Sequence, residues 1–496
     1  QTATALVSAN IAGASVDGYT TKSTSTQAIY ADTGLVGFTT TVTRAFDQEV
    51  FDQLTTSTAT SSYLDTKNTY FEQIDALFGS TETGAALPSA LSTFSTDLQT
   101  LAAQPSSAAA QISVVNSATV LAQTLNSLAG TVSDLGEAVS TAITEGVDQV
   151  NTLTRQISDL NSRIVQYQGQ GADVTGLQDQ RDKAVLELSN LIDVDVKPQS
   201  DGSIRVSTSG GLTLVDNANA TPLEVDTSGV VRVRTASGNG PEIFASGLAT
   251  SGSLAALVEV RDTVLPQVQG QLDQVAAALA SAMSDTTTSG TAATSGAQTG
   301  FDVDAGDLAS GNRLTLTYTD TATGATKTVS IVKVGDASAL PLSDDATLDP
   351  NDTVIGVDFS GGAASVAAQI QAALGSDFAV SNPSGDTIRI LDAGTGAATV
   401  DALAKTVTQT DDQSGAAEVA LFTDGTSAYT GSFDGGSQRD GLASRIRVNS
   451  AISADSSLLV DYSGSPANAD PTRPTALSDA FSDTSVYTTL DIGRAT

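Results

Sequence analysis

Eleven apolar side chains between Val132 and Tyr167 recur at steps of three and four, and no other stretch of this 496-residue chain restricts the fold as strongly. They are Val132, Leu135, Val139, Ile143, Val147, Val150, Leu153, Ile157, Leu160, Ile164 and Tyr167. The spacing predicts a long helix with a heptad-like seam, polar on one flank through Asp134, Glu137, Asp148 and Arg155. Gln168-Gly169-Gln170-Gly171 should break it, and a second helix from Leu177 places Ala184, Leu188 and Leu191 on one face. The two read as an antiparallel helical hairpin, with the stripe as intrachain core.

Helices are also expected over 50–78, with Asp47 as N-cap, over 91–101, and over 106–125 after Pro105. Up to Asp193 the chain therefore reads as mostly helical. The period then changes: Ile204, Val206, Leu212, Leu214, Val230 and Val233 sit among turn residues, and Val231-Arg232-Val233-Arg234 alternates, so 194–250 should be a β insertion. Helical spacing returns from Leu254 to Met283, where Pro266 should kink the helix or mark a first turn. That helix is expected to fold back on the first bundle.

Residues 285–300 hold Thr, Ser, Gly and Ala with almost no apolar bulk, which suits a linker. Strands are expected at 314–318, 327–334, 379–380 and 387–391, with a short helix through Val366, Ile370 and Leu374. The expected organisation is multidomain α+β. A discontinuous helical core, coiled-coil-like, covers 31–193, 251–290 and 441–496 after an N-terminal helix and turn at 1–30. Mostly-β outer parts are inserted at 194–250 and 301–440, the latter behind a linker at 291–300.

Composition removes whole classes of chemistry. With no cysteine and no histidine, disulfides, thiolate metal sites and Ser-His-Asp or Cys-His nucleophiles are excluded. A net charge of −34 argues against nucleic acid and anionic membrane surfaces, and favours solubility and repulsion between monomers. No apolar run approaches the roughly 20 residues of a membrane span, and no secretory signal opens the chain. Asp302, Asp304 and Asp307 hint at a calcium loop, but Ala305 stands where a ligand is needed and the closing Glu is missing; Asp344, Asp345, Asp349 and Asp352 are a similar cluster. A solvated turn is the plainer reading of both. No nucleotide-binding or metalloprotease motif occurs, and no carboxylate pair is singled out. No catalytic residue, metal or cofactor is expected.

Ser8-Ala9-Asn10-Ile11-Ala12-Gly13-Ala14-Ser15-Val16-Asp17-Gly18-Tyr19 resembles the signature of flagellar rod, hook and hook-associated proteins, approximately S-x-N-I-A-N-A-x-T-P-G-Y. Gly13 departs from its Asn, and Val16-Asp17 from its Thr-Pro. A helix should end at Gly13, and Asp17-Gly18 should turn the chain. Thr43–Leu54, Leu91–Pro105, the Asp179-Gln180-Arg181-Asp182 helix, Arg261–Pro266 and Ala443–Asn449 are similar, in order, to segments of hook-associated protein 1, the hook–filament junction family. The resemblance spans most of 1–290 and again 441–475, not 301–440.

The resemblance implies a structural subunit at the junction of hook and filament, not an enzyme. Another axial subunit, hook-like or flagellin-like, is the alternative; an acidic secreted adhesin is a third reading, for which tandem β repeats are missing. It further implies an extracellular location in the flagellum, reached through the flagellar type III apparatus without a cleaved signal. The implied partners are hook protein, the other hook-associated protein of the junction, further copies in the axial tube, and an export chaperone at a C-terminal segment. Family members usually carry a C-terminal amphipathic helix that pairs with the N-terminal one, so the terminal assembly domain is expected to be incomplete at both ends. Asn10, Ile11, Ala12, Gly18 and Tyr19 are the candidate assembly motif; Asp179, Arg181 and Asp182 are candidate subunit contacts.

Overall fold

Asp47 opens the first long helix as a side-chain cap: its carboxylate accepts from the amides of Glu49 at 3.0 Å and Val50 at 3.4 Å. The computed structural model describes residues 2–14, 19–31, 34–78, 87–236, 238, 240–463 and 470–483, with the main chain only at 2, 3 and 29–39. In chain order come α1 (Thr2–Gly13), β1 (Lys22–Ala31), β2 (Gly34–Arg44), α2 (Gln48–Phe78), α3 (Leu87–Ala103), α4 (Ala108–Gly169) and α5 (Thr175–Leu191). The expected helix at 106–125 and the striped helix are thus one helix of 62 residues, because nothing between Leu125 and Val132 removes a main-chain donor. The chain divides into two units, 1–75 with 133–266 and 76–132 with 267–496.

The stripe forms the core of the first unit. Side chains from Val139 to Ile164 on the seam are buried, while Tyr167 at its end is 40% exposed. Gly171, at φ 75°, turns the chain into α5, which buries Ala184, Val185 and Leu188. β3 (Asp195–Pro198), β4 (Ile204–Ser207), β5 (Thr213–Asp216) and β6 (Asn219–Ala220) form an antiparallel meander, and β7 (Leu223–Val225) pairs with β8 (Val231–Val233). Then α6 (Ser253–Glu259) runs into a π turn, Val260–Val264, whose end is bridged by the amide of Leu265 to the carbonyl of Val260. The wide turn stands immediately before Pro266, where a regular helix would lack a donor. Leu254 packs so closely on α4 that a methyl group at Gly146 would lie 2.6 Å from it.

The expectation of mostly helix up to Asp193 is corrected at 22–44. β1 and β2 pair antiparallel from Lys22–Arg44 to Ala31–Gly34, and the expected boundary at residue 30 falls inside β1. Threonine decides this. Its β-branch favours strands, and its hydroxyls pair across them, as for Ser23 with Thr43 at 3.0 Å.

In the second unit α7 (Leu265–Ser284) leads directly into strands, which corrects the expected linker at 291–300. β9 (Asp285–Ser289), β10 (Thr291–Ser295) and β11 (Gln298–Asp304) have little apolar bulk, yet ladder hydrogen bonds to their neighbours fix them. β12 (Arg313–Asp320), β13 (Ala325–Val334), β14 (Thr353–Asp358), α8 (Gly362–Leu374), β15 (Phe378–Ser381), β16 (Thr387–Asp392) and β17 (Ala398–Thr408) follow. They make a five-stranded sheet in the order β14-β13-β12-β17-β9 and a four-stranded sheet β10-β11-β16-β15. Leu314, Leu316, Ile331, Ile370, Ile388, Ile390 and Leu403 form the core between the sheets and α8. β18 (Phe422–Asp424), β19 (Ser427–Ala428), α9 (Leu442–Arg445), β20 (Ile446–Val448), α10 (Ser450–Ala454) and α11 (Thr472–Ser482) complete the unit.

Leu160 and Leu188 are 3% and 0% exposed. Leu160→Ala and Leu188→Ala are each expected to destabilise the first unit by roughly 2–5 kcal/mol. Chemical denaturation checks this, and losses under about 1 kcal/mol at both would remove the stripe from the core.

Candidate assembly site

The N-terminal motif is held by one amide. Asn10 on α1 donates from Nδ2 to the carbonyl of Lys22 at 2.8 Å, and its Oδ1 accepts from the Lys22 amide at 3.0 Å. The Tyr19 hydroxyl donates to the same oxygen at 2.8 Å. The Tyr19 ring lies directly on Gly13, where an added Cβ would sit 2.6 Å from ring carbons. Any side chain at 13 would displace the ring from this position. Asn10 and Tyr19 are therefore brought together. Ala12 and Ile11 face outward, Ile11 at 73% exposure. Gly18, with Asp17, lies outside the described residues.

From Lys22 the chain enters β1, and it leaves the hairpin at Arg44. Both ends are clamped by α5. Lys22 Nζ lies 2.8 Å from Asp179 Oδ2, and Arg44 Nε 2.9 Å from Asp179 Oδ1. Arg44 Nη2 also pairs with Asp182. Thr20 donates to Asp179 at 2.6 Å and accepts from Arg44 Nε at 2.8 Å. Arg181 turns the other way, donating to the Gly202 carbonyl at 2.9 Å and Asn161 Oδ1 at 3.2 Å. Burial pulls its pKa below the ordinary arginine value. Asp179 and Asp182 thus hold the hairpin, while Arg181 holds the β3–β4 turn.

Sequence reasoning missed the asparagines of α4. Asn161 is fully buried; it donates to the carbonyls of Ile204 and Asn217 and accepts from the Ile204 amide. Ten residues earlier Asn151 donates to the Leu223 carbonyl at 2.9 Å and accepts from its amide at 2.8 Å. Each amide acts as a short strand edge for one β segment. The signal was an Asn beside the apolar seam, which spacing alone did not separate from a solvated flank. An apolar strip stays uncovered on the helices near the motif: Val7 and Ile11 on α1, and Phe46, Val50 and Leu54 at four-residue intervals into α2, are 36–73% exposed.

In the second unit the returning segment 441–446 is gripped similarly. Asp273 on α7, 4% exposed, accepts from the amides of Gly441 and Ala443, both at 2.8 Å. Asn126 on α4 donates to the carbonyls of Ala443 at 2.8 Å and Ile446 at 3.2 Å. Arg473 on α11 is fully buried and donates to the carbonyls of Asp412, Ala416, Ala417, Glu418 and Leu458. Burial brings its pKa down to about 10. The helix bearing it docks on α3, where Phe94 meets Phe422 and Phe481 edge to face at 5.6 and 5.2 Å. Within 441–496, which the sequence reading assigned to the helical core, α11 thus packs within the second unit.

The acidic clusters are spent locally. Asp302 pairs with Arg389 at 2.7 Å and Asp307 with Lys405 at 2.6 Å, while Asp304 accepts from the Gly306 amide. Asp344 and Asp349 accept from the amides of Val354 and Asn351, and Asp352 from the Thr347 hydroxyl. Asp345 takes the Ser343 hydroxyl. Among the described residues no group of three acidic side chains is placed to hold a metal ion.

Two outcomes are expected. Asp179→Asn or Arg44→Met leaves a charge under-compensated and should weaken docking of the hairpin by about 3 kcal/mol. Hydrogen exchange at β1 and β2 amides reads this; unchanged protection would mean that the clamp is idle. The second concerns pH. Burial raises the pKa values of Asp273, Asp285, Asp352 and Asp412 above the ordinary 3.8. Their contribution to stability is full below the unfolded value and lost as pH rises through the folded values. Asp320, Asp336 and Asp455 are lowered, by Lys327 and by the main-chain amide and hydroxyl donors of Ser338 and Ser457, and act oppositely as pH falls through their lowered values. The second unit should therefore melt highest near the unfolded carboxylate value of about 4, and lower both as pH rises to about 8 and as it falls below about 3. Calorimetry across that range decides, and a melting temperature that rises steadily to pH 8 would contradict it.

Residues 71–303 match the family model described as the flagellar hook-associated protein FlgK helical domain. Flagellar hook-associated protein 1 of Salmonella typhimurium is 31% identical over 305 residues, covering 58% of this chain and 54% of that protein. The Escherichia coli protein of the same name is 29% identical over 295 residues, covering 57% and 54%. The chain spans about half the length of the curated relatives it matches. A solved structure of a flagellar hook junction protein from Burkholderia pseudomallei aligns at 21% identity and a TM-score of 0.42, over 72% of this chain and 62% of that one.

Proposed function

We propose that this chain, which belongs to the flagellar hook-associated protein family through its helical segment 71–303, is a structural subunit of the junction between hook and filament. The family is one of structural flagellar proteins, and in this reading the chain has no catalytic role. The observation that carries the proposal is the helical-segment match, together with relatives named hook-associated protein 1. The geometry of the N-terminal motif agrees with it. A latch of Asn10, Tyr19 and Gly13 fixes how α1 meets β1 and leaves Ile11 and Val7 exposed on α1.

Partners follow from the same reading. Copies of the chain pack through the exposed apolar strips of α1 and α2, where burial of several large side chains would drive association. Asp179 and Asp182 serve subunit contact by setting the hairpin in place, and Arg181 by holding the β3–β4 turn, since all three are engaged within the chain. Hook protein lies on one side and the other junction protein on the other. The location is the extracellular flagellum, reached through the flagellar export apparatus as a single chain, a stage at which the −34 charge keeps copies apart.

Deleting the gene in the source bacterium should leave hooks without attached filaments in electron micrographs, and gold-labelled antibody should mark the hook–filament boundary in the parent. Ile11→Asp with Val50→Asp should be secreted yet fail to assemble. Filaments that persist in the deletion strain, or label confined elsewhere, would overturn the reading.

A further inference from the structure

The five-stranded sheet of the second unit has two unlike faces. Leu314, Leu316, Val329 and Ile331 point into the core. The alternate residues Arg313, Thr315, Thr328 and Ser330, joined by Thr287 and Thr406 from neighbouring strands, point the other way. A polar sheet face is ordinary when it meets bulk water. Here it is flanked by the end of α7, through Ser281 and Asp285, by the loop Thr347–Asp352 and by Ala480 of α11, which leaves a half-open recess of about 640 Å³.

Part of this face is withdrawn from water, where polar groups lose hydration: Ser330, Asp352 and Thr406 are buried. The face keeps its hydroxyls. Thr287 and Thr406 share a hydrogen bond at 3.1 Å, Asp352 takes the Thr347 hydroxyl, and Asp285 takes that of Thr408 at 2.7 Å. Burial holds Asp285 and Asp352 above the ordinary carboxylate range. Each carboxylate still has acceptor sites beyond these bonds, and Arg313 carries a fork of five donors. Between them Ala278, Ala282 and Ala480 offer small apolar patches.

Donors, acceptors and apolar patches at this spacing suit a ligand whose own groups both donate and accept around a C–H framework. One arginine against Asp285, Asp349, Asp352 and Asp483 disfavours phosphates, sulfates and uronates. The volume falls within the usual range for small-molecule sites. We propose that this recess binds a neutral saccharide of one or two rings. Carboxylates accept from its hydroxyls, Arg313 and the threonines donate to them, and the alanines meet the ring carbons. No aromatic side chain lines the recess, so ring stacking plays no part and exchange is fast.

Saturation-transfer NMR on the whole chain tests it, with glucose, galactose and maltose as probes and gluconate and spermidine as charged controls. Transfer to ring protons of at least one neutral sugar is expected, weakened tenfold or more by Thr315→Val with Thr328→Val. Valine keeps the shape and the strand preference, so the sheet should stay folded. Asn351→Ala, on the loop, gives a second reading without touching the sheet. Absence of transfer from all three sugars, transfer undiminished in both variants, or binding of spermidine alone would overturn the proposal. Assembly at the junction is scored separately by micrographs, so failure here leaves that reading untouched.

Discussion

Helices leave no main-chain groups for a neighbour to bond, so any non-helical segment that packs on a helix must find partners among side chains. The structure answers this repeatedly with a half-buried or buried polar side chain at each returning segment. Asn10 takes both polar groups of Lys22, Asn151 those of Leu223, and Asn161 those of Ile204. Asp273 and Asn126 divide the turn at 441–446 between them, one accepting amides and the other donating to carbonyls. An amide can do both at once, which is why asparagine recurs where a segment runs alongside the helix. A carboxylate can only accept, and Asp273 sits where two amides converge. Each grip fixes position as well as energy, because an apolar contact tolerates sliding while a paired amide does not.

The same economy governs charge. The chain has 22 basic residues against 56 acidic ones, so each cation is scarce and its position is informative. Lys22 and Arg44 meet Asp179 and Asp182 at the hairpin base, where a two-stranded ribbon of Thr and Ser has little apolar area to hold it. Arg473 has no carboxylate in hydrogen-bonding contact and spends its donors on five carbonyls. A guanidinium is suited to this, since it remains charged even when burial lowers its pKa to about 10. The excess of acid remains mostly on the surface, and its repulsion opposes association until apolar contacts outweigh it.

How much was legible beforehand follows from which physics each element uses. The seam from Val139 to Ile164, the break at Gly169–Gly171, the cap at Asp47 and the meander after Asp193 all depend on local periodicity or turn chemistry, and the sequence shows them directly. The hairpin at 22–44, the strands at 285–304 and the helix at 472–482 do not. Their stability comes from partners far along the chain: α5 for the hairpin, β16 and β17 for the Thr-rich strands, and α3 with the Arg473 socket for the last helix. Period analysis sees no partner, so it read the first as helix and the second as linker, and marked no separate helix at 472–482 within the tail it assigned to the helical core. In the candidate site the ordered resemblance located Asn10, Tyr19 and the Asp-Gln-Arg-Asp helix. It could not show that Ile11 and Ala12 would stay outside while Asp179, Arg181 and Asp182 turned inward.

The β-rich part of the second unit leaves and rejoins the helices at a closed stem. The chain leaves α7 at Ser284 and returns at Gln409, whose amide donates to the Ser284 carbonyl at 2.8 Å. One residue on each side, Asp285 and Thr408 are joined by a hydrogen bond at 2.7 Å, and the amide of Val419 reaches Met283. Exit and re-entry are therefore adjacent. What lies between can be long, short or differently folded without moving either end, because loop closure is already satisfied at the stem. The family-model match runs past this exit, through β9 and β10 into β11, and ends at residue 303. The polar recess beside the stem is lined both from within the matched segment, by Ala278, Ser281, Ala282, Asp285 and Thr287, and from the sheet beyond it.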